Sequence, residues 1–130
     1  MIIGLSGVFV EDQAKALAFY TEVLGFQLKH DMPVGDGNRW LTVVSPERPD
    51  GVELLLEPNS NPIASTFQQG LREENIPATS FQTSDIAAEH ERLVAAGVVF
   101  TMPPTDIGPA IIAVFDDTCG NLINLMQAKA

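Results

Sequence analysis

The chain states one pattern of elements twice, and any fold it adopts has to satisfy that pattern in both halves. In the first half the apolar, β-branched run 2–10 (IIGLSGVFV) reads as a strand. Asp12 follows as a candidate N-cap, because its carboxylate can accept a free amide proton of the first helical turn. Residues 13–24 then place Ala14, Leu17, Ala18, Thr21 and Leu24 at helical spacing, and Gly25 ends the helix. Strand-like runs follow at 26–30, 39–44 and 52–57, separated by turn signals from Pro33 through Asn38 and from Pro46 through Gly51.

The second half repeats the sequence of events. A run at 78–83 meets Ser84-Asp85, a helix is expected over 86–95, and Gly97 closes it. Strands are expected at 98–101, 110–115 and 121–127, the last two joined by a hairpin over Asp116 through Gly120. Each half is therefore β-α-β-β-β, duplicated at a spacing of roughly 70 residues. The expected fold class is α+β in a single domain over 1–130. Module one covers 1–60, module two covers 77–130, and a connecting helix lies in 61–76, read from Ser65 through Glu74. The halves are expected to share one continuous sheet or to form two edge-joined sheets. The proline-rich segment from Met102 to Pro109 is expected as a loop between two strands, either a lid or a rigid connection.

Composition narrows the function classes. Hydrophobic residues make up 45% and charged residues 18%, enough apolar matter for a core and too little charge for a disordered chain. Seventeen acidic residues against seven basic ones give a net charge of −10. That balance argues against a nucleic-acid partner, which needs a basic face, and against an anionic membrane surface. The single cysteine, Cys119, excludes an internal disulfide, and no Cys/His cluster has zinc-site spacing. A reducing cytoplasm is the expected location. The apolar start lacks a basic n-region, and no apolar run approaches the ~18–20 residues of a membrane span.

Val10-Glu11-Asp12, Ala16, Phe19-Tyr20 and Leu24-Gly25-Phe26 together resemble the first-module signature of the vicinal oxygen chelate superfamily. That superfamily includes glyoxalase I, bleomycin-resistance proteins and extradiol dioxygenases. Ser84-Asp85, Leu93, Gly97-Val98 and Asp116 through Asn121 are similar to its second module and its closing hairpin. The resemblance implies two βαβββ modules, each curling a sheet into a trough, with the troughs enclosing a pocket. It also implies a homodimer.

In metal-using members, the first and last strands of each module supply the ligands. The resemblance carries these positions onto Leu5 and Leu55 in the first module and onto Ala78 and Asn124 in the second. Hydrocarbon side chains cannot ligate a metal. No divalent metal or other cofactor is therefore expected, and the means of stabilising an enediolate or activating dioxygen is lost with it.

Strand alternation selects the remaining candidates. Leu5, Gly7 and Phe9 form an apolar wall, continued by Asn124 and Met126 on the last strand. Glu53, Leu55 and Glu57 share a face, and either acid can pair with a cationic group on a ligand or lie on a solvated edge. Trp40 can stack on a flat ligand or pack as core or dimer contact. Arg39, beside it, can clamp an anion, but a regular strand does not turn both inward. Ser80 and Gln82 are the polar groups on the fifth strand's pocket side. His90 lies on an apolar helical stripe and is expected to be packed. His30 has no visible partner, and Cys119 is expected to be a bystander thiol.

Two functions fit this set. One is a metal-free small-molecule binding protein with an apolar trough. The other is a lyase, isomerase or dioxygenase of the same superfamily with an altered metal site. A purely structural module would instead fill the trough with its own side chains.

Overall fold

The computed structural model describes residues 1–129. The elements run β1 (Leu5–Val10), α1 (Gln13–Ala18) with a π-helical continuation (Phe19–Val23), β2 (Gln27–Gly35), β3 (Asn38–Val44), β4 (Glu53–Pro58) and α2 (Pro62–Glu73). They continue as β5 (Thr79–Gln82), α3 (Ile86–Ala95), β6 (Phe100–Asp106), β7 (Ala110–Asp116) and β8 (Leu122–Ala128). No helix among the described residues is long and apolar enough to cross a membrane.

The chain divides into two compact units, Met1–Phe67 and Gln68 onward. Each holds a four-stranded sheet, ordered β1-β4-β3-β2 in the first and β5-β8-β7-β6 in the second. In both, the outer first strand pairs parallel with the last, and the other pairings are antiparallel. The duplication read from the sequence is thus a duplication of topology, two βαβββ modules.

The local devices are the expected ones. The Lys15 amide donates to Asp12 Oδ1 at 3.0 Å, and the Ala88 amide to Asp85 Oδ1 at 3.0 Å. Gly25 and Gly97 leave the helices at φ +89° and +91°, a region closed to most side chains. The first helix departs from regularity after Ala18. The Leu24 amide reaches back five residues to the Phe19 carbonyl, at 3.0 Å, and Phe19 and Tyr20 are both buried as a result.

In the first unit α1 covers one sheet face, where Val10, Leu41, Val43 and Leu56 are buried with Ala16 and Tyr20. Gln13 fixes the helix there. Its side-chain amide donates to the carbonyls of Arg39 (2.7 Å) and Leu56 (2.8 Å) and accepts from the Arg39 amide (3.0 Å). In the second unit α3 buries Ile86 and Leu93, and Ala113, Phe115, Ile123 and Leu125 are buried on the sheet. Below them the β7–β8 turn closes on Asp117. This fully buried carboxylate accepts from the Cys119 amide (2.8 Å), the Asn121 amide (3.0 Å) and the Asn121 side chain (2.8 Å).

Three boundaries differ from the sequence reading. The segment from Met102 is strand β6 and not a lid or loop, as far as Asp106. Pro103 and Pro104 lie where the β6–β7 ladder skips, on an outer strand that can do without their amide protons. The turn expected from Pro33 is confined to Asp36-Gly37, both at positive φ, because β2 continues to Gly35. The first strand begins at Leu5, leaving Ile2 and Ile3 exposed. Hydrogen bonding gives two separate four-stranded sheets, one per unit.

Replacing Asp117 with Ala removes three buried hydrogen bonds, each worth about 1 kcal/mol. The expected loss of unfolding free energy is about 3 kcal/mol, read by urea denaturation. A loss below about 0.5 kcal/mol would show that the turn is held by other contacts.

Candidate functional site

The free face of the first sheet follows from strand alternation and register. Gly7 lies opposite Leu55, Phe9 opposite Glu57, Thr42 opposite Leu55, and His30 opposite Thr42. With Val8, Val10, Leu41, Val43 and Leu56 turned to the helix, the other face carries Leu5, Gly7, Phe9, Glu53, Leu55, Glu57, Trp40, Thr42, Val44, His30 and Met32.

Over one end of this face stands the start of α2. Pro62 opens the helix at a position where a missing amide proton is tolerated, and Asn61 Oδ1 accepts from the Ile63 amide at 2.9 Å. Ala64 is buried, while Ile63 and Phe67 remain 80% and 58% exposed. The result is a cleft of about 620 Å³ with Phe9, Leu55, Glu57 and Trp40 on the sheet side, Val34 and Asn38 at the β2–β3 end, and Ile63, Ala64 and Phe67 on the helix side. A second hollow of about 270 Å³ runs along β1 from Leu5 to Phe9. Phe9, Leu55 and Glu57 line both.

Two charged groups line the larger cleft. Arg39 is committed elsewhere: its Nε and Nη2 donate to the two carboxylate oxygens of Asp31 at 2.9 and 2.7 Å. These bonds hold the Asp31 carboxyl below its ordinary value against some desolvation, and raise Arg39. Glu57, by contrast, has no hydrogen bond or ion pair among the described residues. Arg39 lies on the same side of β3 as Leu41 and opposite to Trp40, so the strand does not aim both at the trough.

Further along the face is a polar cluster that the sequence reading missed. Thr42, fully buried, donates its hydroxyl to Glu53 Oε1 at 2.8 Å, and His30 Nε2 lies 3.6 Å from the same oxygen. The His30 amide donates to Thr42 Oγ1 at 3.2 Å. His30 thus has a partner after all, one that only the β2–β3–β4 register reveals. Ile63 and Phe67 were also missed. Their spacing of four residues on a helix was the available signal.

In the second unit Ser80, Gln82, Asn124 and Met126 share the face away from α3, and the Asn124 side-chain amide donates to Ser80 Oγ at 2.8 Å. His90 packs edge-on against Phe100 at 4.5 Å, and Cys119 is buried within its hairpin. The superfamily's metal positions do not fit a metal. Leu5, Leu55 and Ala78 offer no side-chain donor atom, which leaves the Asn124 amide oxygen alone of the four positions, its nitrogen donating to Ser80 Oγ. No group of three or more His, Cys, Asp or Glu among the described residues could hold an ion.

A family model described as the Glyoxalase/Bleomycin resistance protein/Dioxygenase superfamily matches residues 2–125. The uncharacterized protein YurT of Bacillus subtilis (strain 168) is 53% identical over 127 residues, covering 98% of this chain and 99% of its own. Among solved structures, UcmS2 superposes with a TM-score of 0.85 at 32% identity, covering 98% of both chains. TnmS3, an antibiotic binding protein from Streptomyces sp. CB03234, superposes with a TM-score of 0.78 at 30% identity, covering 99% of this chain and 97% of its own.

The Arg39–Asp31 pair sets a pH expectation. Because the folded-state value of Asp31 is depressed, the pair's stabilisation is complete above the unfolded carboxyl value and is lost as pH falls through the folded one. A carboxyl-carbon NMR titration should place the Asp31 midpoint below 3.8, and Arg39→Lys, which breaks the two-point contact, should raise it. A midpoint at or above 3.8 in the native protein would show that the Arg39–Asp31 pair is not held in solution.

Proposed function

The chain belongs to the glyoxalase/bleomycin resistance/dioxygenase superfamily, and we propose that it is a small-molecule binding protein that works without the superfamily's metal site. The observation that carries this reading is the open cleft of about 620 Å³. Its volume lies in the range of ligand pockets, and its walls are hydrocarbon and aromatic with few polar groups, as such pockets are built. A module with only a structural role would fill this space with its own side chains. Here Trp40 is 36% exposed and Val34 62% exposed at the cleft.

The ligand class follows from the walls. Trp40 and Phe9 offer ring area, so a flat aromatic compound gains both burial and stacking. Leu5, Gly7 and Leu55 extend the apolar floor, and Glu57 supplies a charge to orient the ligand. Glu53 is held by Thr42 and His30. Ser80, Gln82, Asn124 and Met126 are proposed as ligand contacts of the second module. The antibiotic-binding role of TnmS3 supports this reading. The homodimer and the cytoplasmic location implied by the sequence are part of the same proposal.

One observation favours the enzyme alternative, a lyase, isomerase or dioxygenase with a displaced metal site. His30 and Glu53 are ligand-type side chains 3.6 Å apart on the trough face. They are two donors where the superfamily's site has four, and so the binding reading leads.

Acridine, a neutral planar probe, should quench Trp40 fluorescence. By calorimetry, Trp40→Ala should bind acridine about tenfold more weakly with an unchanged melting temperature. Equal affinity in the variant would remove Trp40 from the site. Native mass spectrometry of untagged protein, preincubated with zinc, nickel, manganese and iron, reads assembly and metal together. The expected species is a metal-free dimer of about 28 kDa, twice the 14.0 kDa chain. A retained ion per chain would make the enzyme reading the leading one, and a 14.0 kDa species would remove the dimer.

A further inference from the structure

The two hollows of the first unit meet at Phe9, Leu55 and Glu57, so they are neighbouring compartments with a common wall. Of the groups at that wall only Glu57 is charged. It is half-buried among hydrocarbon and has no hydrogen bond or ion pair among the described residues. A carboxylate at the joint of two apolar hollows, with no counter-charge of its own, favours an incoming cation. The guanidinium of Arg39, which would repel that cation, is neutralised by Asp31 through two hydrogen bonds. A net charge of −10 adds a long-range attraction for positive ligands.

Gly7 adds an independent observation about shape. Its φ is not positive, and a Cβ there would sit 3.5 Å from the Leu55 carbonyl oxygen and 3.7 Å from Leu55 Cβ, which is ordinary contact. Neither backbone strain nor crowding therefore requires glycine at this position. What the missing side chain does is leave the floor of the smaller hollow empty, on the same face as Leu5 and Phe9.

We propose that the two hollows are one bipartite site for an amine-bearing aromatic compound. Its planar ring lies in the larger cleft against Trp40, a protonated nitrogen meets Glu57 at the joint, and a short alkylamine arm lies over Gly7. This deepens the binding reading above and rests on it. The charge selects cations over neutral or anionic rings, and the smaller hollow selects among cations by the arm they carry.

Calorimetry with three probes tests both parts: acridine (neutral ring), proflavine (cationic ring) and quinacrine (cationic ring with an alkylamine arm), in mildly alkaline buffer. On the native protein proflavine should bind about tenfold tighter than acridine, and quinacrine tighter again. In Glu57→Gln the proflavine-to-acridine affinity ratio should fall toward one. In Gly7→Leu, which fills the smaller hollow, the quinacrine-to-proflavine ratio should fall about tenfold. Gly7→Ala serves the same comparison should the larger side chain lower the melting temperature. Equal affinities of all three probes for the native protein would overturn this inference while leaving the binding reading intact. A proflavine-to-acridine ratio unchanged by Glu57→Gln would overturn the charge selection, and a quinacrine-to-proflavine ratio unchanged in the Gly7 variants would overturn the second compartment. Absence of binding by every probe would remove the binding reading itself.

Discussion

Gln13 uses both ends of its side-chain amide on the backbone of β3 and β4, and the placement of α1 depends on those three hydrogen bonds. Backbone groups at a sheet face are fixed points. A helix tied to them cannot slide, so the burial of Tyr20 and Ala16 against Leu41, Val43 and Leu56 is in one register only. Because strand side chains alternate, committing one face to the helix commits the other to whatever lies outside the core. Phe9, Trp40, Leu55 and Glu57 are brought together by that geometry and not by closeness in the chain.

Charge in the first sheet is organised by which groups have partners. Asp31 and Arg39 satisfy each other, Glu53 is held by Thr42 beside His30, and Glu57 stands among hydrocarbon. In a chain this acidic, a cation at the cleft is what distinguishes neutral from negative local potential. The Arg39–Asp31 contact therefore decides the polarity of the cleft as much as Glu57 does.

Much of the architecture was legible because its signals are local. Asp12, Asp85, Gly25 and Gly97 mark the helix ends by side-chain chemistry that acts within four residues. Alternation along β1 and β4 placed Leu5, Gly7, Phe9, Glu53, Leu55 and Glu57 on one face without any knowledge of the sheet. What escaped depended on long-range register. His30 meets Glu53 through an intervening strand, and Pro103 and Pro104 are tolerated in β6 only because that strand is outermost. The wall formed by Ile63 and Phe67 escaped because the helix was read as a connection, whereas its first turn stands over Trp40.

The strand β2 has a consequence of a different kind. It is nine residues long, exposed throughout, and outermost in its sheet, with one row of backbone groups offered to any passing strand. Such an edge templates aggregation unless something interrupts it. Here Lys29 and Asp31 put opposite charges on it, Pro33 removes an amide proton, and the ladder is irregular on both sides of the His30–Pro33 stretch. A foreign strand laid along this edge would find its hydrogen-bond pattern broken within a few residues. These interruptions keep the protein from recruiting copies of itself into a continuous sheet.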